Sequence, residues 1–203
     1  ITLNNTYGLW CYAADGNPIF SASLSSPNDG DITIGRYVGG KGIFWDDSAG
    51  ILTIKLSPQT RKLAINCSSF TPANSEDTWI ISGGLVMNGA SDLNENQYDA
   101  PVNIPNGCIV TSIKAYYYRD DAASAGILYL VRNSAGSGDV MASVDFTSTA
   151  GGANGEDTSI SYATIDNETY SYSLNLRLDP NDNSADVKLF ACSITYTITD
   201  PLP

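Results

Sequence analysis

The residue types available for chemistry in this 203-residue chain are limited, because it contains no histidine. Without imidazole there is no Ser-His or Cys-His nucleophile, no histidine acid or base, and no histidine metal ligand. Two carboxylates roughly 5 to 10 Å apart would still suffice for glycoside hydrolysis. The 22 Asp and Glu residues fall mostly in predicted turns, and no pattern sets a pair across a cleft. We therefore expect no enzymatic activity and no catalytic residue.

One acidic loop has oxygen-bearing side chains at the spacing of a cation site. Its candidate ligands for Ca²⁺ are Asp179, Asn181, Asn183 and Asp186. Calcium loops of this kind carry a glycine at the sixth position and a bidentate glutamate at the twelfth. Here Ser184 and Phe190 occupy those positions. The pattern favours a solvated turn over a calcium site, and the sequence suggests no other cofactor.

Tyrosines mark a candidate ligand face in the predicted strand from Ile109 to Tyr118. Its expected core face consists of Ile109, Thr111, Ile113, Ala115 and Tyr117. Alternation then sends Lys114, Tyr116 and Tyr118 to the opposite, polar face. Two tyrosines on such a face can stack against sugar rings, but tyrosine is also common at contacts between subunits. The subunit or covering-loop interpretation is slightly favoured, and both remain open.

Strands are the elements that must position these residues. No window sustains apolar residues at helical spacing, whereas period-two alternation recurs between clusters of Gly, Asn, Asp and Pro. From Tyr170 to Leu178 the apolar and polar residues alternate without interruption, which is typical of a strand with one face in a core and the other in water. About eight such strands predict an antiparallel, jelly-roll-like β-sandwich. The whole chain is predicted to be all-β, with a hairpin region in residues 1–60 and the sandwich in residues 61–203.

The hairpin region contains two copies of one small plan. The segments 8–20 and 42–54 each begin with glycine and an aromatic-aliphatic run, pass through an Asp-containing turn, and end in a second apolar run. An isolated hairpin cannot bury its own apolar surface. We therefore predict that this region mediates assembly. The candidate contact residues are Trp10, Tyr12, Phe20, Phe44 and Trp45.

Composition narrows the class of partner. The formal net charge is -12, and the ten Lys and Arg residues are scattered along the chain, so nucleic acid and anionic membranes are poor partners. No stretch approaches the roughly 18 apolar residues of a membrane helix. The chain opens at Ile1 without Met, which indicates a processed product or part of a longer protein. Of the four cysteines, Cys192 is expected to be a buried free thiol rather than a disulfide partner.

Two segments carry a resemblance to known modules. The segment 30–35, reading GDITIG, and the segment 39–55 resemble connecting modules of phage tail-fibre and tail-tip proteins. The later half, with 104–113, 163–167 and 194–196, is similar to β-sandwiches at the C-termini of phage-like and bacterial surface proteins. The resemblance implies an elongated homotrimer in which the N-terminal hairpins wrap together and the sandwich forms a head. It supplies no catalytic residues.

Three functions are consistent with these features. The first is a non-enzymatic structural and adhesive protein of a phage-like tail fibre or extracellular appendage, which contacts a surface glycan. The second is a secreted filament subunit that donates an N-terminal strand to the next subunit. The third is a carbohydrate-binding module of a larger secreted protein. All three predict an extracellular or virion-surface location.

Overall fold

A computed structural model of the chain describes residues 2–4, 8–12, 14, 18–22, 32–34, 42–46, 49–55, 58–75, 77, 79–82, 85–88, 94–149, 151–181 and 186–198. These residues form β-strands, turns and one short 3-10 helix, Cys67–Ser69, and contain no α-helix. The prediction of an all-β protein is confirmed. In this described part of the chain no helix is long and apolar enough to cross a membrane.

The strands are numbered in chain order. They are β1 Thr2–Asn4, β2 Gly8–Tyr12, β3 Pro18–Ala22, β4 Ile32–Ile34, β5 Gly42–Asp46, β6 Ile51–Lys55, β7 Gln59–Ile65, β8 Thr71–Pro72, β9 Trp79–Ser82, β10 Leu85–Asn88, β11 Asn96–Val102, β12 Ile109–Arg119, β13 Ala125–Ser134, β14 Ser137–Asp145, β15 Gly151–Asp157, β16 Ser171–Asp179 and β17 Val187–Ile198. The chain divides into two compact units, Ile1–Gln59 with Ile198–Pro203, and Thr60–Thr197.

The first unit contains a single six-stranded antiparallel sheet, in the order β1-β2-β3-β4-β5-β6, which we call the N-terminal sheet. Both predicted hairpins are present, as the pairs β2–β3 and β5–β6. Strand β4 pairs with β3 on one side and β5 on the other, so it joins the two hairpins into one sheet. Gly50, at φ 65°, adopts the left-handed backbone that the turn before β6 requires and that residues with a Cβ disfavour.

The second unit is an antiparallel sandwich of two sheets. The first sandwich sheet has the order β15-β12-β17-β10-β9, with β7 also paired to β17, and the second has the order β14-β13-β16-β11-β8. The predicted jelly-roll-like sandwich is therefore confirmed at the level of its architecture. Tyr117 of the first sheet stacks on Phe146, beside the second, with ring centroids 4.3 Å apart. Side chains buried between the sheets include Tyr98, Ile113, Leu128, Leu130, Leu174, Leu176 and Leu189.

Strand β16 follows the predicted alternation along its length. Tyr172, Leu174, Leu176 and Leu178 are buried in the core. The residues between them lie on the outer face of the second sandwich sheet. This strand therefore presents a polar row to the surface.

Two bulges overturn part of the predicted core. The register between β12 and β17 shifts between Val110 and Ser112, and again between Tyr116 and Tyr117. An extra residue in one strand reverses which side chains face inward on either side of it. Ile109 is consequently 43% exposed, although alternation placed it in the core, and Phe190, at the second shift, is 39% exposed.

The guanidinium of Arg132 stacks on two tyrosine rings from the connection between β15 and β16. The Arg132 guanidinium carbon lies 3.4 Å from the ring centroid of Tyr162 and 4.4 Å from that of Tyr170. Its Nη2 also forms an ion pair with Asp139 at 2.9 Å. Arg132 belongs to β13 and Asp139 to β14, whereas Tyr162 and Tyr170 belong to the connection between β15 and β16. The cation–π contacts and the ion pair of Arg132 therefore link this connection to the ends of β13 and β14.

Candidate functional site

The outer face of the second sandwich sheet contains a groove of about 550 Å³. It crosses four neighbouring strands, β14, β13, β16 and β11. Its lining residues are Asp99, Tyr129, Val131, Asn133, Gly138, Val140, Ser173, Asn175 and Arg177. A volume of this size lies within the roughly 300–1,000 Å³ of small-molecule sites.

The antiparallel register determines which groove residues are neighbours. Tyr129 of β13 lies opposite Asn175 of β16, and Asn175 lies opposite Asp99 of β11. These three residues therefore form a row across the sheet, with the strands about 4.8 Å apart. Their sequence neighbours Leu128, Leu130, Leu174 and Leu176 are buried in the core. Burial of the leucines fixes the outward direction of the row, because a shift by one residue would expose them.

Hydrogen bonds hold the polar groups of the groove in place. The Asn175 amide donates to the Asp99 carboxylate at 2.9 Å, and the Arg177 Nε lies 3.5 Å from the Asn175 carbonyl oxygen. Further along, the Asn133 amide donates to the Ser173 hydroxyl at 3.0 Å. Each residue retains further donors or acceptors by its chemistry, since an amide or a carboxylate forms several hydrogen bonds at once. The groove thus presents preoriented polar groups.

An aromatic ring and aliphatic side chains complete the lining. The Arg177 guanidinium carbon lies 5.5 Å from the Tyr129 ring centroid, on the same face of the sheet. Val131 pairs with Val140 in the neighbouring strand, and half of the Val140 side chain is exposed. A Cβ added at Gly138 would lie 3.0 Å from the Asn133 Oδ1 and 3.1 Å from a Val131 methyl. The absence of a side chain at this glycine therefore leaves space beside Asn133.

The charges of the groove lining balance. Asp99 supplies one negative charge and Arg177 one positive charge, while the other lining residues are neutral. Arg177 also faces Glu95, with 3.9 Å between its Nη1 and the carboxylate. An uncharged ligand rich in hydroxyl groups is the best match, because it supplies donors and acceptors to the amides and an apolar ring face to the tyrosine.

The predicted tyrosine face lies on the other sheet of the sandwich. Tyr116 and Tyr118 belong to β12, on the outer side of the first sandwich sheet, and Tyr116 is 40% exposed. The Lys114 ammonium lies 5.3 Å from the Tyr116 ring centroid and 3.9 Å from the Glu156 carboxylate. The Tyr118 hydroxyl donates to Asp120, which raises its pKa. The structure brings these three residues together, but the groove is formed by others.

The predicted calcium loop lies partly outside the described residues, because Asn183 is among those not described. Asn181 donates its side-chain amide to Asp121 at 3.0 Å. This contact and the backbone N–H of Ala123, which contributes most, lower the pKa of Asp121. Across the described ranges no group of three or more Cys, Asp or Glu is arranged to hold a metal ion. The solvated turn that the sequence favours over a calcium site therefore stays a prediction for this loop.

The predicted assembly residues separate onto two faces of the N-terminal sheet. Phe20 and Trp45 lie in rows of one face, whereas Trp10 and Phe44 share a row of the other. Tyr12 stacks on Trp10, with ring centroids 6.3 Å apart. The sequence identified the aromatic residues, and the register shows which of them share a face, so their role in assembly stays a prediction.

The solved structures that match part of the chain include carbohydrate-binding modules and a larger protein fragment that contains one. The C-terminal CBM6 domain of LamC, a marine laminarinase from Zobellia galactanivorans, is 18% identical, with a TM-score of 0.41 over 66% of this chain and 99% of that one. A CBM36 module solved with calcium and xylotriose is 14% identical, with a TM-score of 0.41 over 66% of this chain and 98% of that one. Identities and TM-scores this low transfer neither a ligand nor an activity.

A third structure extends beyond the matching part. The xylanase 10B fragment of Clostridium thermocellum, solved with xylohexaose, contains CBM22-1 and GH10 modules. It is 11% identical, with a TM-score of 0.41 over 69% of this chain and 28% of that one. No protein-family model and no curated protein matches the sequence. These comparisons provide no support for the resemblance to tail-fibre connectors.

Proposed function

We propose that the chain is a non-catalytic glycan-binding protein whose groove on the second sandwich sheet holds an uncharged oligosaccharide. Tyr129 stacks against a sugar ring, while Asp99, Asn133 and Asn175 bind hydroxyl groups. Of the functions considered from the sequence, this is the carbohydrate-binding one. The proposed glycan site is the groove on the second sandwich sheet, and not the tyrosine face of β12 that the sequence indicated.

The row Tyr129–Asn175–Asp99 is the observation that carries the proposal. A sugar has an apolar ring face and a rim of hydroxyl groups, so it needs an aromatic ring beside amide and carboxylate groups. The row supplies these on adjacent strands, and the 2.9 Å bond between Asn175 and Asp99 orients the amide. Residues built on strands are held more precisely than residues on loops.

The test begins with an array of neutral and acidic glycans. The strongest ligand is then titrated calorimetrically against the wild-type chain and the Tyr129→Ala variant. Loss of the aromatic contact is expected to weaken binding about tenfold, since such a contact contributes about 1 kcal/mol beyond the buried area and 1.4 kcal/mol is a factor of ten. Asn175→Ala should give a loss of similar size, whereas Tyr129→Phe should retain most of the affinity.

The matched control is Tyr116→Ala, which removes a tyrosine from the outer face of the other sheet. Unchanged binding in this variant, with a loss in Tyr129→Ala, supports the groove. The reverse pattern would move the ligand to the tyrosine face formed by Lys114, Tyr116 and Tyr118. Absence of binding to any glycan on the array would refute the proposed function.

A structural role in an extracellular appendage is the second candidate, and the N-terminal sheet favours it. None of the apolar side chains described in β1 to β6 is buried. A sheet without a core of its own serves well as an assembly element. A homotrimer predicts one fixed mass in light scattering, whereas strand donation predicts open-ended polymers.

A further inference from the structure

A small apolar wall lies within the polar groove of the second sandwich sheet. Val140 of β14 is opposite Val131 of β13, and Val131 is opposite Ser173 of β16. We call Val131 and Val140 the valine pair. Tyr129 lines the same groove two residues before Val131, so about 6.6 Å of strand separates them. The valine pair is therefore within reach of a substituent on a sugar ring that stacks on Tyr129.

Gly138 leaves a space next to the valine pair. A Cβ on this residue would lie 3.0 Å from the Asn133 Oδ1 and 3.1 Å from a Val131 methyl group. Both distances are shorter than the 3.4–4 Å of ordinary van der Waals contact, so a side chain here would fill the space. Gly138 and Asn133 are partners in the β13–β14 register. The space is thus bordered by an amide oxygen on one side and a methyl group on the other.

The polar atoms beside this space complement an amide group. The Asn133 side-chain amide donates to the Ser173 hydroxyl at 3.0 Å, which holds the Asn133 side chain in place. Its Oδ1 is the atom nearest to the Gly138 space, and this oxygen can accept a hydrogen bond there. The Ser173 hydroxyl accepts from Asn133 and keeps its own proton to donate. One acceptor and one donor match the N–H and the C=O of a single amide.

We propose that the groove recognises N-acetylated sugars and holds the acetamido group between the valine pair and Gly138. The acetamido methyl group packs on the valine pair, the N–H donates to the Asn133 Oδ1, and the carbonyl oxygen accepts from the Ser173 hydroxyl. This inference rests on the proposed function, and it gives Asn133 an amide N–H to bind in place of a hydroxyl group. The acetamido group is uncharged, which agrees with the balanced charges of the groove lining.

Other small substituents match these groups less well. The methyl group of a 6-deoxy sugar would contact the valine pair but offers no polar atom to Asn133 or Ser173. An O-acetyl group has a methyl group and a carbonyl but no N–H, so the Asn133 Oδ1 would face an ester without a donor. A free amine would place a positive charge against the valine pair. The acetamido group alone uses the methyl, acceptor and donor contacts together.

The test compares glycans that differ only in an acetamido or a hydroxyl group at C2. The array contains such pairs in the gluco and galacto series, and the best pair is titrated calorimetrically against the full-length chain. In the gluco series the pair is the β-1,4-linked trisaccharide of N-acetylglucosamine and cellotriose. The N-acetylated member should bind about tenfold more tightly, because a buried methyl group and two hydrogen bonds add to its affinity.

Two variants test the contacts through the ratio of the two affinities. Gly138→Ala fills the space, and Val140→Ala removes two methyl groups from the valine pair, so each should lower the ratio to below about threefold. Gly152→Ala, on the other sandwich sheet, is the matched control and should leave the ratio unchanged, because nothing lies within 4 Å of the added Cβ. The ratio is measured within one protein, so partial unfolding would lower both affinities without changing it.

The outcomes separate this inference from the proposed function. Equal affinities for the paired glycans, with binding lost in Tyr129→Ala, would overturn the inference and leave the groove as a glycan site. A preference for the acetamido group that survives in both Gly138→Ala and Val140→Ala would also overturn it. Tighter binding of 6-deoxy or O-acetylated glycans would assign the valine pair to another substituent and overturn it as well. Absence of binding to any glycan would refute the proposed function and the inference with it.

Discussion

Three tyrosines show how far position governs the role of one residue type. Tyr117 is buried between the sheets, where its ring stacks on Phe146. Tyr116, one residue earlier, lies on the outer surface with Lys114 beside its ring. Tyr129 lies in the groove, opposite Asn175. Composition identifies all three as amphipathic rings, but only the neighbours make Tyr129 a candidate platform for a sugar.

The buried cysteines allow a pH prediction at the residue scale. Burial raises the pKa of the Cys67 thiol to about 11 and that of Cys192 to about 12, and in Cys192 the charge of the neighbouring Cys67 adds to the effect. The unfolded chain has thiol pKa values of about 8.5. The folded state therefore binds the thiol protons more tightly. The contribution of the two protonated thiols to the free energy of unfolding is complete below about pH 8.5. It is lost as the pH rises through 11 to 12.

Urea unfolding of wild type and Cys192→Ala at several pH values tests this linkage. At pH 7 the variant should be less stable, because it loses both packing and a buried thiol. The difference in free energy of unfolding between the two proteins should then shrink as the pH rises from 8 to 10.5. A difference that stays constant over this range would contradict the raised pKa.

At the scale of the element, strand β15 can pack closely against Val144 only because residue 155 is a glycine. A Cβ at Gly155 would lie 2.6 Å from a Val144 methyl, whereas at Gly152 nothing lies within 4 Å. Gly155→Ala is therefore expected to lower the free energy of unfolding by about 1–3 kcal/mol, the usual cost of overpacking. Gly152→Ala, in the same strand, should be neutral or slightly stabilising.

Chemical denaturation of the two glycine variants measures this difference directly. Equal midpoints would mean that the first sandwich sheet can move away from Val144 without cost. A midpoint lowered only in Gly155→Ala would show that β15 is fixed against β14 by close packing.

The strands differ in how well they can be predicted. Alternation located the two faces of β16 because polar and apolar residues strictly alternate there. It failed at Ile109, because the bulges in the β12–β17 pair arise from contacts between distant segments. The sequence also predicted the two hairpins. Only the strand pairing shows that the three residues of β4 join these hairpins into one sheet.

At the scale of the whole molecule, the described apolar core lies entirely in one compact unit. The buried hydrophobic residues run from Ile65 to Ile194, within the unit Thr60–Thr197. A chain shortened to residues 59–198 is therefore expected to fold cooperatively and to bind the same glycan with unchanged affinity.

Calorimetric melting and glycan titration of the shortened chain check this expectation. A single transition with intact binding would separate the groove from the N-terminal sheet in function. Failure to fold would show that the sandwich needs the preceding strands.

The sequence by itself determined the all-β class, the sandwich with its preceding hairpins, and the aromatic residues available for contacts. These properties follow from alternation and turn residues, which are local along the chain. Only the tertiary structure decided which outward side chains meet. The groove joins residues from β11 to β16 that are up to 78 positions apart, from Asp99 to Arg177, and the two faces of the N-terminal sheet depend on the register of the four successive pairings from β2 to β6. Pairing between strands sets these neighbours, and a shift of one residue would have placed different side chains together.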